Sequence, residues 1–119
     1  MNIKAKIHRK SMVEDVTILD ILYFRELPQP VVVYAHPNGR LDQDVLFIDK
    51  QPTFEVVAPV DGQRASYYGE EVTIITFLPT VFDPYPWADR QYAPCRLPAI
   101  VVNSRGFLDM CWLFHLSIA

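Results

Sequence analysis

Glycine is scarce in this chain, with four in 119 residues, each beside a turn signal. A loop that cradles phosphate on backbone amides needs glycine where the ligand approaches the main chain, so the sequence speaks against phosphate-loop chemistry. Other catalytic signatures are missing as well. There is no GxSxG nucleophile turn, no HExxH, and no CxxC to accompany the three histidines, His8, His36 and His115. Two cysteines, Cys95 and Cys111, are too few for a disulfide framework. They read as reduced thiols, one of them buried, with a bridge across the ends of a C-terminal ribbon as the alternative. Long apolar runs are also lacking: PVVVYA and PAIVV fall far short of a membrane span, and no signal-peptide core follows MNIKAKIHRK. The expectation is a soluble cytoplasmic protein without cofactor or metal, a binding module rather than an enzyme.

What is present favours strands. Half the residues are apolar, ten are proline, and valine and isoleucine are frequent, which suits extended segments joined by punctuated loops. The length fits a single domain over residues 1–119, with a core that needs no covalent staple. A net charge of −3 hides an asymmetry: Lys4, Lys6, Arg9 and Lys10 sit in the first ten residues, leaving seven basic against fourteen acidic side chains beyond them. Duplex binders carry a broad basic face, so nucleic acid is disfavoured as a partner. The lysines read instead as guards of an edge strand.

Along the chain, residues 2–8 alternate Ile3, Ala5 and Ile7 with Lys4, Lys6 and His8, the period of a half-buried strand. Residues 12–26 are open to two readings. Ser11 and Glu14 make a capping box, Val16, Leu19, Leu22 and Tyr23 recur at helical spacing, and Pro28 stops the element, which gives one short helix. Val16, Thr17 and Ile18 are β-branched and suit a strand equally well. After Pro30, PVVVYA, the Asn38-Gly39 turn and DVLFID form a hairpin. TFEVVAPV, RASYY and EEVTIITFL are further strands, and LPAIVV, NSRG and FLDMCWLFHLSI form a long C-terminal hairpin. Its second arm is apolar almost throughout, as expected of a strand buried on both faces, and predicts a homodimer through that strand. The sequence therefore predicts a mainly β fold, a small antiparallel β-barrel or sandwich, with an α+β variant carrying the helix over residues 12–26. Val32, Val57, Ile74, Ile100, Val102, Leu113 and Phe114 are expected in its core.

A faint echo bears on architecture. Glu14-Asp15-Val16-Thr17-Ile18 resembles Glu70-Glu71-Val72-Thr73-Ile74, and Gly39-Arg40-Leu41-Asp42 resembles Gly106-Phe107-Leu108-Asp109, the second spacing being about eleven residues longer. Either the chain is two related halves, or strands and turns have written similar text twice. A helix over residues 12–26 conflicts with the first reading.

Few residues suggest chemistry. His36, Asp42 and Asp44 can meet at the end of a hairpin as a metal or acid–base site, although a turn histidine beside solvated carboxylates explains them too. Cys95 has Arg96 beside it to lower its pKa but no evident base. His115, within an apolar strand, reads as a hydrogen-bonded core or interface residue. The segment from residue 79 to 98 is the most informative, because loops of this length are uncommon unless functional. It holds five prolines and the aromatics Phe82, Tyr85, Trp87 and Tyr92, with Arg90 and Arg96, the residue types of interface hot spots. The leading expectation is a protein-binding or regulatory module that uses residues 79–97 as its contact surface. Two alternatives stand beside it: a single-stranded nucleic-acid binder of OB or SH3-like type, and a small-molecule-binding or enzymatic barrel with this loop as a lid.

Overall fold

Ile3, Ala5 and Ile7 are buried and Lys4 and Lys6 exposed along strand β1 (Ile3–Arg9), as a two-residue period requires of a strand with one face on a core. The structure, a computed structural model, describes residues 1–23, 29–46, 50–78 and 98–118. A tight turn leads into β2 (Met12–Leu22), antiparallel to β1 with Ile7 opposite Glu14 and Ile3 opposite Ile18. The helical reading of this stretch is overturned. On its other side β2 pairs with β3 (Val31–Ala35), and the register slips between Ile18 and Asp20, so Leu19 is an extra residue on β2. That bulge moves the next buried position from Asp20 to Ile21 and imitates the three-residue spacing of a helix. Glu14, read as a capping residue, is a strand residue whose carboxylate bonds His36.

The first sheet runs β4-β3-β2-β1-β5, with β4 (Leu41–Val45) and β5 (Thr53–Val56) at its edges. The second runs β10-β6-β7-β8-β9, from β6 (Gln63–Tyr67), β7 (Glu70–Phe77), β8 (Pro98–Val102), β9 (Leu108–Trp112) and β10 (Leu116–Ile118). All pairings are antiparallel and the sheets do not close into a barrel, so the sandwich is the form adopted.

Three further expectations change. β1 lies between β2 and β5, so its lysines guard no edge; they cover the outer face of the sheet, where Lys4 Nζ donates to Thr17 Oγ1 at 3.1 Å. The C-terminal arm is not one strand, because β9 pairs with β8 while β10 must cross to β6, and a 3-10 turn at Leu113–His115 makes the crossing. Of the expected core, Val32, Ile74 and Ile100 are buried and Val102 packs into the cluster that holds Val32 and Ile100, but Val57, just past the end of β5, is exposed. Leu113 is half-buried in the turn, and the Phe114 side chain lies outside the described residues.

The echo in the sequence is a structural repeat. β4-β3-β2-β1-β5 and β9-β8-β7-β6-β10 are the same order of equivalent strands, and Val16-Thr17-Ile18 and Val72-Thr73-Ile74 occupy the same places. The bulge recurs: register slips between Ile74 and Thr76 in the β7–β8 pair, as between Ile18 and Asp20 in the β2–β3 pair. The turns match as well. Gly39 N–H donates to the His36 carbonyl at 2.9 Å, and Gly106 N–H to the Asn103 carbonyl at 2.9 Å. Both glycines have positive φ, 87° and 89°, where a Cβ would be strained.

The halves do not pack as mirror partners. Ile3, Ala5, Ile7, Ile18, Val32, Tyr34 and Phe54 of the first sheet share a core with Ile100, Leu108 and the partly buried Ile75, Val102 and Met110 of the second. Ala65, Val72, Ile74, Ala99, Val101 and Cys111, on the opposite face of the second sheet, form a separate cluster with Tyr67 and Leu116. The second sheet is thus apolar on both faces, which explains why PAIVV reads as an unbroken run.

Candidate functional site

The sequence residues His36, Asp42 and Asp44 come to one end of the first sheet, joined there by three that sequence reasoning missed: Arg9, Glu14 and Tyr34. β1 delivers Arg9 at its end and β2 delivers Glu14 just past the turn, while β3 and β4 supply the rest. The hairpin register sets Tyr34 opposite Asp42 and Val32 opposite Asp44, so Tyr34 and Asp44 are diagonal neighbours on the same face. That diagonal was readable from the Asn38-Gly39 turn; the arrival of Arg9 and Glu14 was not, because it depends on β1 and β2 lying alongside.

Two linked networks result. In the first, Asp44 Oδ2 accepts from the Tyr34 hydroxyl and from Arg9 Nη2, each at 2.5 Å, and Arg9 Nη2 also donates to the Tyr34 oxygen at 2.8 Å. Tyr34 is fully buried, its ring edge-on to Phe54 and His36. Burial first, and the Asp44 hydrogen bond second, push its phenol far above the ordinary range, so it stays protonated and donates. In the second network, His36 Nδ1 meets Glu14 Oε1 at 2.8 Å and Nε2 meets Asp42 Oδ2 at 3.0 Å. An acceptor on each nitrogen favours the doubly protonated ring, and the Asp42 and Glu14 bonds raise the His36 pKa. The His36 bond, with the Gln43 backbone N–H, lowers that of Asp42.

The geometry limits the chemistry. Glu14 and Asp42 lie against opposite nitrogens of one ring, so they do not converge on a common point, and among the described residues no group of three or more His, Cys, Asp or Glu could hold a metal ion. Each carboxylate is engaged by a donor, and neither His36 nor Tyr34 presents a basic lone pair to an incoming substrate. Over the networks lies an open cleft of about 580 Å³, walled by Arg9, Met12, Glu14, His36, Pro37, Asn38, Arg40 and Asp42. Met12 stands exposed at its lip, 52% accessible, and the Arg40 side chain is exposed nearby.

The equivalent end of the second half is built differently. His36 corresponds to Asn103, Tyr34 to Val101 and Asp44 to Cys111, and Arg9 has no counterpart, because the β1–β2 hairpin runs on past Ile7 and Glu14 where the β6–β7 hairpin turns directly after Tyr67. Glu70, in the place of Glu14, accepts from Ser104 Oγ at 2.6 Å and from the Ser104 N–H at 3.2 Å, which lowers its pKa. Asn103 Oδ1 accepts from the Arg105 and Phe107 N–H groups, and Asp109 stands in the place of Asp42, but Val101 and Cys111 replace Tyr34 and Asp44, so the Tyr34–Asp44–Arg9 network of the first half is not a requirement of the architecture.

The remaining sequence candidates fall elsewhere. Phe82, Tyr85, Trp87, Arg90, Tyr92, Cys95 and Arg96 lie outside the described residues. His115 sits in the 3-10 turn with its Nδ1 2.7 Å from the Tyr68 hydroxyl, far along the chain from His36. Cys111 is buried, and desolvation, followed by nearby Asp109, pushes its thiol up to about 12. Compared with known protein families, with curated proteins and with solved structures, the chain matches none of them.

Proposed function

We propose that the chain is a protein-binding module and that the cleft between the β1–β2 and β3–β4 hairpin tips is its contact surface. The observation that carries this reading is the contrast between the halves: where the second half has Val101, Cys111 and a Ser104–Glu70 hydrogen bond beside a smaller pocket of about 290 Å³, the first has the Tyr34–Asp44–Arg9 and His36–Glu14–Asp42 networks beside a cleft of about 580 Å³. Interlocked, part-buried hydrogen bonds hold the cleft floor in one shape, and a preformed surface binds at low ordering cost. Exposed methionine and arginine around such a floor are residue types enriched at interfaces. A segment offering an apolar side chain to Met12 and a carboxylate to Arg40 matches that chemistry. At the floor His36 is held between two carboxylates and Tyr34 is kept protonated, an arrangement suited to a fixed binding surface.

The proline- and aromatic-rich loop of residues 79–97 carries the competing assignment of the same binding function. The test is affinity capture of a partner from native lysate, followed by titration of the purified partner against two double variants. Met12→Glu with Arg40→Glu is expected to weaken binding by about 2 kcal/mol or more, the hot-spot scale, while Tyr85→Ala with Tyr92→Ala leaves it within about 0.5 kcal/mol. The reverse pattern moves the contact surface to the loop. Binding unchanged in both variants sinks the reading.

A further inference from the structure

The two halves meet edge to edge and in the same sense. Val56 N–H, at the end of β5, donates to the Gly106 carbonyl at 2.8 Å, and Glu55 bridges Phe107, so the outer edge of the first half joins the β8–β9 turn of the second. Beside that junction Val56 and Leu108 belong to the common core, Leu108 being 4% exposed. Because both halves have the same strand order, the junction uses one kind of edge from each: the β5 kind and the β9 kind. The edges at the far ends of the molecule are therefore the complementary two. β10 is the β5 kind, since Ile118 opposes Ala65 as Val56 opposes Ala5, and β4 is the β9 kind, since Leu41 opposes Ala35 as Leu108 opposes Val102.

At those far edges the residues equivalent to the internal pair are uncovered: Leu41 is 64% and Ile118 65% exposed. We propose that β10 of one copy of this chain pairs with the β3–β4 turn of a second copy, repeating between molecules the contact that joins the halves within one. Ile118 N–H then donates to the partner's Gly39 carbonyl as Val56 donates to Gly106, and Ile118 covers Leu41 as Val56 sits beside Leu108. Gly39 and Gly106 share the positive φ that shapes the accepting turn, so the acceptor is already in place. Exposed strand edges of matched shape and apolar content are templates for such pairing. The contact joins two different surfaces, so each added copy presents a fresh β10 and a fresh β4, and the assembly grows as an open chain rather than closing at two. This inference stands independently of the cleft reading, because it uses the main chain of the turn and two edge side chains.

Sedimentation velocity and light scattering from micromolar to millimolar protein, with circular dichroism to confirm the fold of each variant, test it. The wild-type mass should rise continuously with concentration. Leu41→Asp, which spoils the β4 edge, and Ile118→Pro, which removes the outward N–H of β10, should each be monomeric alone. Mixed, they should form a one-to-one pair and nothing larger, since each retains the edge that the other lacks. A wild-type monomer at millimolar concentration, a mass that stops at two copies, or folded variants that fail to pair when mixed would each overturn the proposal.

Discussion

Tyr34→Phe deletes one oxygen from the most enclosed part of the site and leaves the rest of the side chain in place. The ring keeps its edge-on contacts with Phe54 at 5.6 Å and His36 at 5.3 Å, so no cavity opens and the loss is that of hydrogen bonding alone. The hydroxyl donates to a carboxylate at 2.5 Å and accepts from Arg9 at 2.8 Å, with Tyr34 itself fully buried. A hydrogen bond to a charged group contributes about 1.5–3 kcal/mol, and because the Asp44 side chain keeps 22% of its surface in water the lower half of that range, about 1.5–2 kcal/mol, is expected. Urea unfolding followed by intrinsic fluorescence should show the midpoint falling with an unchanged slope. Combining the change with Asp44→Asn in a double-mutant cycle should return a coupling of about 1 kcal/mol or more. A loss below about 0.5 kcal/mol for Tyr34→Phe, or additive single and double variants, would show that Arg9 and Asp44 hold together without the phenol and that the network is not a unit.

Three further outcomes follow from the same structure. His36→Asn, which installs the residue found at Asn103 in the other half, should flatten the alkaline side of the stability–pH profile: the His36 pKa is raised in the folded state, so its stabilisation is complete below the ordinary imidazole value and is lost as pH rises through the raised one. Thermal unfolding across that range checks it, and an identical profile in the variant would count against the ion-pair assignment. Ile100→Ala should cost about 2–5 kcal/mol in denaturant unfolding, because Ile100 is fully buried between the sheets, whereas Val57→Ala should stay within about 0.5 kcal/mol. In a Cys95→Ser background, Cys111 should resist a thiol reagent until the protein is unfolded, its thiol being buried and pushed up to about 12.

Local chemistry decided much of this protein from sequence alone. Strand β1 follows from the alternation of Ile3, Ala5 and Ile7 with lysines, and the hairpin turns follow from glycines that take a positive φ at Gly39 and Gly106. The likeness of Glu14-Asp15-Val16-Thr17-Ile18 to Glu70-Glu71-Val72-Thr73-Ile74 marks two halves with one strand order, since equal patterns of burial select equal pairings. Other features belong to the tertiary structure. A bulge at Leu19 moves burial from Asp20 to Ile21, and only pairing with β3 creates that bulge, so its local spacing imitates a helix. Whether Lys4 and Lys6 lie on an edge depends on which strands flank β1, and the apolar C-terminal arm breaks at Leu113 because β9 and β10 serve different neighbours. The site shows the division most plainly. Tyr34 and Asp44 share a face through the register of one hairpin, but Arg9 and Glu14 reach them only across strands distant in the chain, and a contact of that kind leaves no periodic trace in the sequence.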